Sequence, residues 1–193
     1  MLKKLLFIAL VPVLMLAKDN MVSLNLNDSD IEFSYEKSKS ASSSSRVYFG
    51  AEWLRGEDEF DKNHNQVSGH IRIIGNTPLA GLAVGIGFRA VGTSVKYGGK
   101  TYNPLVIPVQ VGAIYTLPLV LKSHISAFGS YAPKSLSIND AEKFTEYRFE
   151  GAIEPMDGGM IVLGYRDIEY ELKKGADDYE LNKAVYIGFR LYF

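Results

Sequence analysis

From residue 46 onward the chain alternates between apolar positions and polar or small ones, in runs about as long as a tilted membrane strand. The last run is the most regular. Val185, Ile187, Phe189, Leu191 and Phe193 fall on one side, and Ala184, Tyr186, Gly188, Arg190 and Tyr192 on the other. Successive strand side chains point to opposite faces, so the spacing predicts a strand with one oily face. The pattern recurs over 46–55, 66–75, 79–93, 103–116, 124–132, 144–154 and 159–172. Pro108 lies inside one of these runs and predicts a bulge or a local break there. Two shorter runs, 21–27 and 31–37, come first. They are joined by Asn27-Asp28-Ser29-Asp30, which is turn chemistry. Ser38–Ser45 reads as a small polar loop.

The connections alternate in length. Short turns at 76–79, 117–123 and 155–158 separate longer polar loops at 56–65, 94–102, 133–143 and 173–181. Glu52, Arg72, Arg89, Glu146, Arg148, Glu150, Arg166 and Arg190 sit near mid-strand on the less oily faces. A soluble β-sandwich would turn those charges to water. Alternating loop lengths and strands long enough to cross hydrocarbon favour the opposite polarity. The expected fold is an all-β, antiparallel up-and-down transmembrane β-barrel, with oily positions toward lipid and charges in the lumen. Counting both short runs gives ten strands. Treating residues 21–37 as a loosely attached hairpin gives eight. With Phe193 at the periplasmic rim, the long loops become extracellular, as such barrels require.

The N-terminus agrees with this destination. Lys3 and Lys4, the apolar Leu5 to Leu16 and the small Ala17 form a signal peptide over 1–17, leaving 18–193 as the barrel domain. Its apolar run contains Pro12 and is too short to span a membrane. Lys+Arg 21 against Asp+Glu 22 leaves no basic stripe, so no nucleic-acid partner is expected. Cysteine is absent, which removes disulfide frameworks and thiolate metal sites. His64 and His70 form no ligand set, so neither metal nor cofactor is expected. His64 reads as a residue of a solvated loop and His70 as one inside the barrel.

The mid-strand charges are the main candidate chemistry. Glu146, Arg148 and Glu150 share one face, and Arg166 and Arg190 lie on the like face of the next two strands. Charges in a small barrel need partners. They predict a lumen network, either a structural plug or a narrow passive channel. His124 and Ser126 share a strand face and carry the rival reading, an outer-membrane lipid-modifying hydrolase. A third reading is adhesin-like binding through the loops at 56–65 and 173–181. The acidic positions Glu57, Asp58, Glu59 and Asp61 read as a solvated surface loop. Tyr35, Trp53, Tyr115, Tyr131, Tyr165 and Tyr192 read as interfacial girdle residues. Phe189, Leu191 and Phe193 resemble a C-terminal outer-membrane insertion signal, which makes the barrel-assembly machinery and outer-membrane lipids the expected partners. The facing assignment predicts that Arg is worse at Ile187 than at Leu191, and is tolerated better at Tyr186.

Trp53, the run Ser130-Tyr-Ala-Pro-Lys-Ser-Leu136, Gly164-Tyr-Arg166 and the aromatic terminus together resemble the YfaZ family of small outer-membrane proteins. The likeness covers most of the mature chain and departs at the charged loop 56–65 and the Ser patch 41–45. The resemblance implies an outer-membrane barrel and carries no specific activity.

Overall fold

The computed structural model describes residues 19–57, 63–97, 100–119, 121–173 and 179–193. The signal-peptide expectation over 1–17 falls outside them, as do Asp58, Glu59 and Asp61.

Ten antiparallel strands form the wall. They are β1 (Asn20–Leu26), β2 (Asp30–Ser40), β3 (Ser45–Glu57), β4 (Asn63–Asn76) and β5 (Leu82–Tyr97). β6 (Val109–Leu117), β7 (Ser123–Ala132), β8 (Ala141–Met156), β9 (Gly159–Leu172) and β10 (Tyr179–Tyr192) complete it. Each strand pairs with the next in sequence, and β10 pairs back onto β1, so the ring is closed. The hairpin over 21–37 is therefore part of the wall, and ten strands, not eight, is the count. Three short strands lie at the loop end. Lys100–Tyr102 and Leu105–Val106 pair with β5, and Ser137–Ile138 pairs with Leu105–Val106. The ladder breaks at Ile107-Pro108, where proline has no N–H to give.

Register fixes the tilt. Partners followed from Glu180 through β9, β8 and on around to β1 return to β10 at Phe193, from 180 to 193, that is 13 residues further along. Such a stagger is what inclines the strands of a closed barrel. The wall is uneven at one seam. β1 joins the C-terminal strand over seven residues only, Ile187–Phe193, whereas β9 pairs with β10 over twelve. Above Leu26 the β10 edge has no neighbouring strand among the described residues.

The polarity is that of a membrane barrel. Leu163 (64%), Val185 (62%) and Ile187 (60%) are exposed on the outer surface, while Glu32, Glu146 and Arg166 are buried inside. In water so much contiguous apolar surface would drive association, but hydrocarbon accepts it. Trp53, Tyr131 and Tyr165 edge the apolar band toward the long loops. Beyond them the outward row of β9 turns charged at Asp167, Glu169 and Glu171. Tyr35 and Tyr115 lie toward the opposite rim, where Tyr35 donates to the Asn20 side chain at 2.9 Å. Tyr192 departs from the girdle expectation. It lines the lumen, since its parity on β10 is that of Arg190.

Inward glycines make room for large neighbours. A Cβ on Gly87 would strike the Arg72 Cβ, and one on Gly164 would strike the Tyr186 ring. Strand β4 also begins earlier than hydrophobic alternation suggests. Its first inward positions, His64 and Gln66, are polar, so the oily signal fades while the ladder continues. His64 is consequently buried in the wall, with Nε2 3.1 Å from the Asp30 carboxylate, and not in a solvated loop.

Candidate functional site: the lumen

The lumen is layered along the barrel axis. At the long-loop end a group of apolar inward side chains packs beside the polar Gln66 and Thr93. Leu54, Val91, Val95, Phe144, Ile168 and Tyr170 pack there into one cluster, and none exposes any surface. Phe144 and Tyr170 meet ring to ring at 4.8 Å between centroids. The Tyr170 hydroxyl, which burial would otherwise strand, lies 2.8 Å from Thr93 Oγ1.

The middle layer is ionic. Glu32 of β2 is its hub. Arg148 donates both terminal nitrogens to the two Glu32 oxygens at 2.9 Å each, Arg166 donates from Nη1, and Asn25 adds an amide N–H at 2.5 Å. A planar guanidinium matches a carboxylate in this two-pronged way, and such bonds are among the strongest available to side chains. Arg148 also reaches Glu52 at 3.3 Å and Glu146 at 3.1 Å. Arg89 completes the circuit through Glu146, Glu52 at 3.1 Å and Ser68 at 2.9 Å.

The Glu32–Arg148, Glu32–Arg166 and Arg89–Glu146 pairs run across the lumen and not between neighbouring strands. Arg148 and Arg166 stand directly opposite each other in the β8–β9 ladder, an arrangement of like charges that repels. The Glu32 carboxylate, arriving from the far wall, lies between them and removes that repulsion.

The third layer is nearest the chain termini. Arg190 donates to Glu150 at 2.6 Å, and the Tyr186 hydroxyl donates to the same oxygen at 2.6 Å. Glu36 receives Arg72 and faces His70 Nε2 at 2.9 Å. The Arg72 guanidinium crosses the lumen between the Tyr48 and Phe128 rings, 5.6 and 5.0 Å from their centroids. A cavity of about 190 Å³ opens here, with Tyr48, Arg72, Arg190 and Tyr192 among its walls.

All eight charges picked from the sequence point inward and take part in ion pairs. Sequence reasoning missed Glu32 and Glu36. Their signal was present, since they alternate with Ile31, Phe33 and Tyr35 in a run counted among the ten strands. The pairing of Asp30 with Asn182 and His64 was also missed. His124 and Ser126 both line the cavity, and Ser126 Oγ donates to Glu150 at 3.4 Å. Among the described residues no hydrogen bond joins His124 to Ser126. No group of three or more His, Cys, Asp or Glu among the described residues is arranged to hold a metal ion.

Tyr186 does not fit the tolerance expected for arginine at that position. It is 2% exposed, hydrogen-bonded to Glu150 and stacked 5.4 Å from the Arg166 guanidinium. An arginine there would meet a second one in a filled space.

Among solved structures the fold is similar to LpxR from Salmonella typhimurium, with 11% identity, a TM-score of 0.45, and 85% of this chain and 73% of that one covered. It is also similar to the outer membrane channel DcaP of Acinetobacter baumannii, with 12% identity, a TM-score of 0.43, and 90% of this chain and 62% of that one covered. Comparison with curated proteins gives no match. The closed ring, the apolar outer band and the aromatic edges make this an outer-membrane β-barrel. Residues 15–193 match the family described as YfaZ precursor, which is nearly the whole sequence, and the chain belongs to the YfaZ family.

Proposed function

We propose that the protein is a structural barrel of the outer membrane with a closed, non-conducting lumen. The observation that carries this is the apolar layer at the long-loop end, whose packed side chains have no exposed surface. Dry apolar packing of that kind leaves no hydrated route for an ion. The ionic layer beneath it cross-links opposite walls, which suits a rigid plug better than a passage. Delivery follows removal of residues 1–17. Insertion proceeds by recognition of the last strand by the barrel-assembly machinery, with Phe189, Leu191 and Phe193 as the signal and outer-membrane lipids as the surroundings.

Planar-bilayer recording tests the closed state. The intact protein is expected to hold the baseline current, and truncation of both Phe144 and Tyr170 to glycine is expected to produce discrete steps. Steps in the intact protein would instead establish the narrow passive channel. The hydrolase reading through His124 and Ser126 has little support, because both residues face the lumen cavity and lack a mutual hydrogen bond. An unchanged lipid A mass profile in cells carrying His124→Ala is the expected result. The adhesin-like reading rests on loops whose central residues, 58–62 and 174–178, lie outside the described ones.

A further inference from the structure

We infer that Lys37 and Lys39 form a docking site on the outer wall for the headgroup of an anionic phospholipid in the periplasmic leaflet. The inference rests on the reading of outer-membrane lipids as the barrel's surroundings and does not depend on whether the lumen conducts.

Strand β2 changes its outward chemistry part-way along. Its outward row is Ile31, Phe33 and Tyr35, all exposed, and then Lys37 and Lys39, exposed as well. The ladder sets both lysines among apolar neighbours. Lys37 stands opposite Phe49 and Lys39 opposite Val47 on β3, and β4 brings Ile71 and Ile73 against those two. On its other side Lys37 stands opposite Asn20, whose backbone pairs with Phe193. The two lysines therefore lie at the edge of the apolar band, beside the end of the chain. A lysine so placed lays its methylene stem along the apolar wall and carries its ammonium to the headgroup layer.

Neither ammonium is matched within the protein. Among the described residues Lys37 and Lys39 make no ion pair and no side-chain hydrogen bond. Asp19, whose backbone carbonyl accepts from the Ser38 N–H, has its carboxylate bound by Arg46. Lys122, at the same end of the barrel, is matched by Glu154 at 3.4 Å and Asp157 at 3.8 Å. The outward row of β6 stays apolar through Val111, Ala113, Tyr115 and Leu117, with Leu119 and Leu121 exposed beyond it. The rim is thus apolar below β6 and carries uncompensated positive charge below β2.

Two residues along a strand span about 7 Å, so the two ammonium groups repel unless an anion lies between them. Lysine binds phosphate as a point charge, and two flexible stems can close on one phosphate. The wall beside them favours a lipid over a free phosphate. Phe49 and Ile71 are 45% and 46% exposed and offer an acyl chain its contact surface.

Native mass spectrometry of the folded chain in detergent tests this, with phosphatidylglycerol and phosphatidylcholine of matched acyl chains as probes. The parent is expected to retain phosphatidylglycerol in preference. Lys37→Gln with Lys39→Gln should lose that preference, roughly fivefold for each lysine. Lys96→Gln with Lys100→Gln, exposed positions at the long-loop end, changes the net charge equally and should leave the preference intact. Lys37→Arg with Lys39→Arg should keep it. Excess glycerol phosphate, which has no acyl chain, should not displace the lipid. Heat-modifiable gel migration reports folding of each variant, and if the paired glutamine variant fails to fold, Lys39→Gln alone reads the same loss at about fivefold. The proposal is overturned if the parent shows no preference, if the folded glutamine variant keeps it, if the loop-end variant loses it equally, if the arginine variant loses it, or if glycerol phosphate displaces the lipid. None of these outcomes bears on the closed lumen, which bilayer recording reads separately.

Discussion

Arginine at Ile187 should cost the folded barrel about 2–4 kcal/mol in a bilayer, the range for a basic side chain on the lipid face near mid-depth. Ile187 is 60% exposed on the outer wall. Its ladder partners are Leu26 on one side and Leu163 on the other, so an arginine there has no polar neighbour within the band. Leu191→Arg lies near the rim with the terminal Phe193 and should cost less, because the cost falls toward the interface. Denaturant titration of both variants in lipid vesicles measures the difference. Equal losses would mean that depth does not set the penalty, and the outward assignment of β10 would fail with it.

Glu32→Gln should destabilise the barrel by about 3–5 kcal/mol, the cost of breaking a buried ion pair by removing one partner. The side chain keeps its shape but loses the charge that holds Arg148 and Arg166 together. Those two arginines face each other across β8 and β9, so the loss exposes a repulsion as well as an unmet demand. The comparison is Lys122→Ala. Lys122 is 72% exposed and 3.4 Å from Glu154, and exposed pairs of this kind contribute about 0–1 kcal/mol. A Glu32→Gln variant as stable as Lys122→Ala would show that the hub is dispensable.

The outward surface was legible in the sequence because lipid demands an apolar residue at every second position. That constraint gave the strand faces and, with both short runs counted, the ten strands. Inside the lumen no such rule operates, and two things stayed hidden. Partners there are set by reach across the barrel, so Glu32 meets Arg148 at a separation of 116 residues that no local spacing reveals. The dry layer of Phe144, Ile168 and Tyr170 was equally invisible. Those residues lie at strand ends, in stretches that read as loop margins or as ordinary inward positions. His64 was misplaced for the same reason, since its strand continues where the apolar beat has already stopped.

The brevity of β1 has a mechanical consequence. The ring is fastened to itself by seven residue pairs between β1 and the C-terminal strand, against twelve joining β9 to β10. Amide protons along Val22–Leu26 should therefore exchange with deuterium sooner than those of β9, because local opening begins where fewest bonds must break. A cysteine pair introduced at Leu24 and Phe189, which are ladder partners, would staple that clasp shut and slow the exchange around the whole circumference.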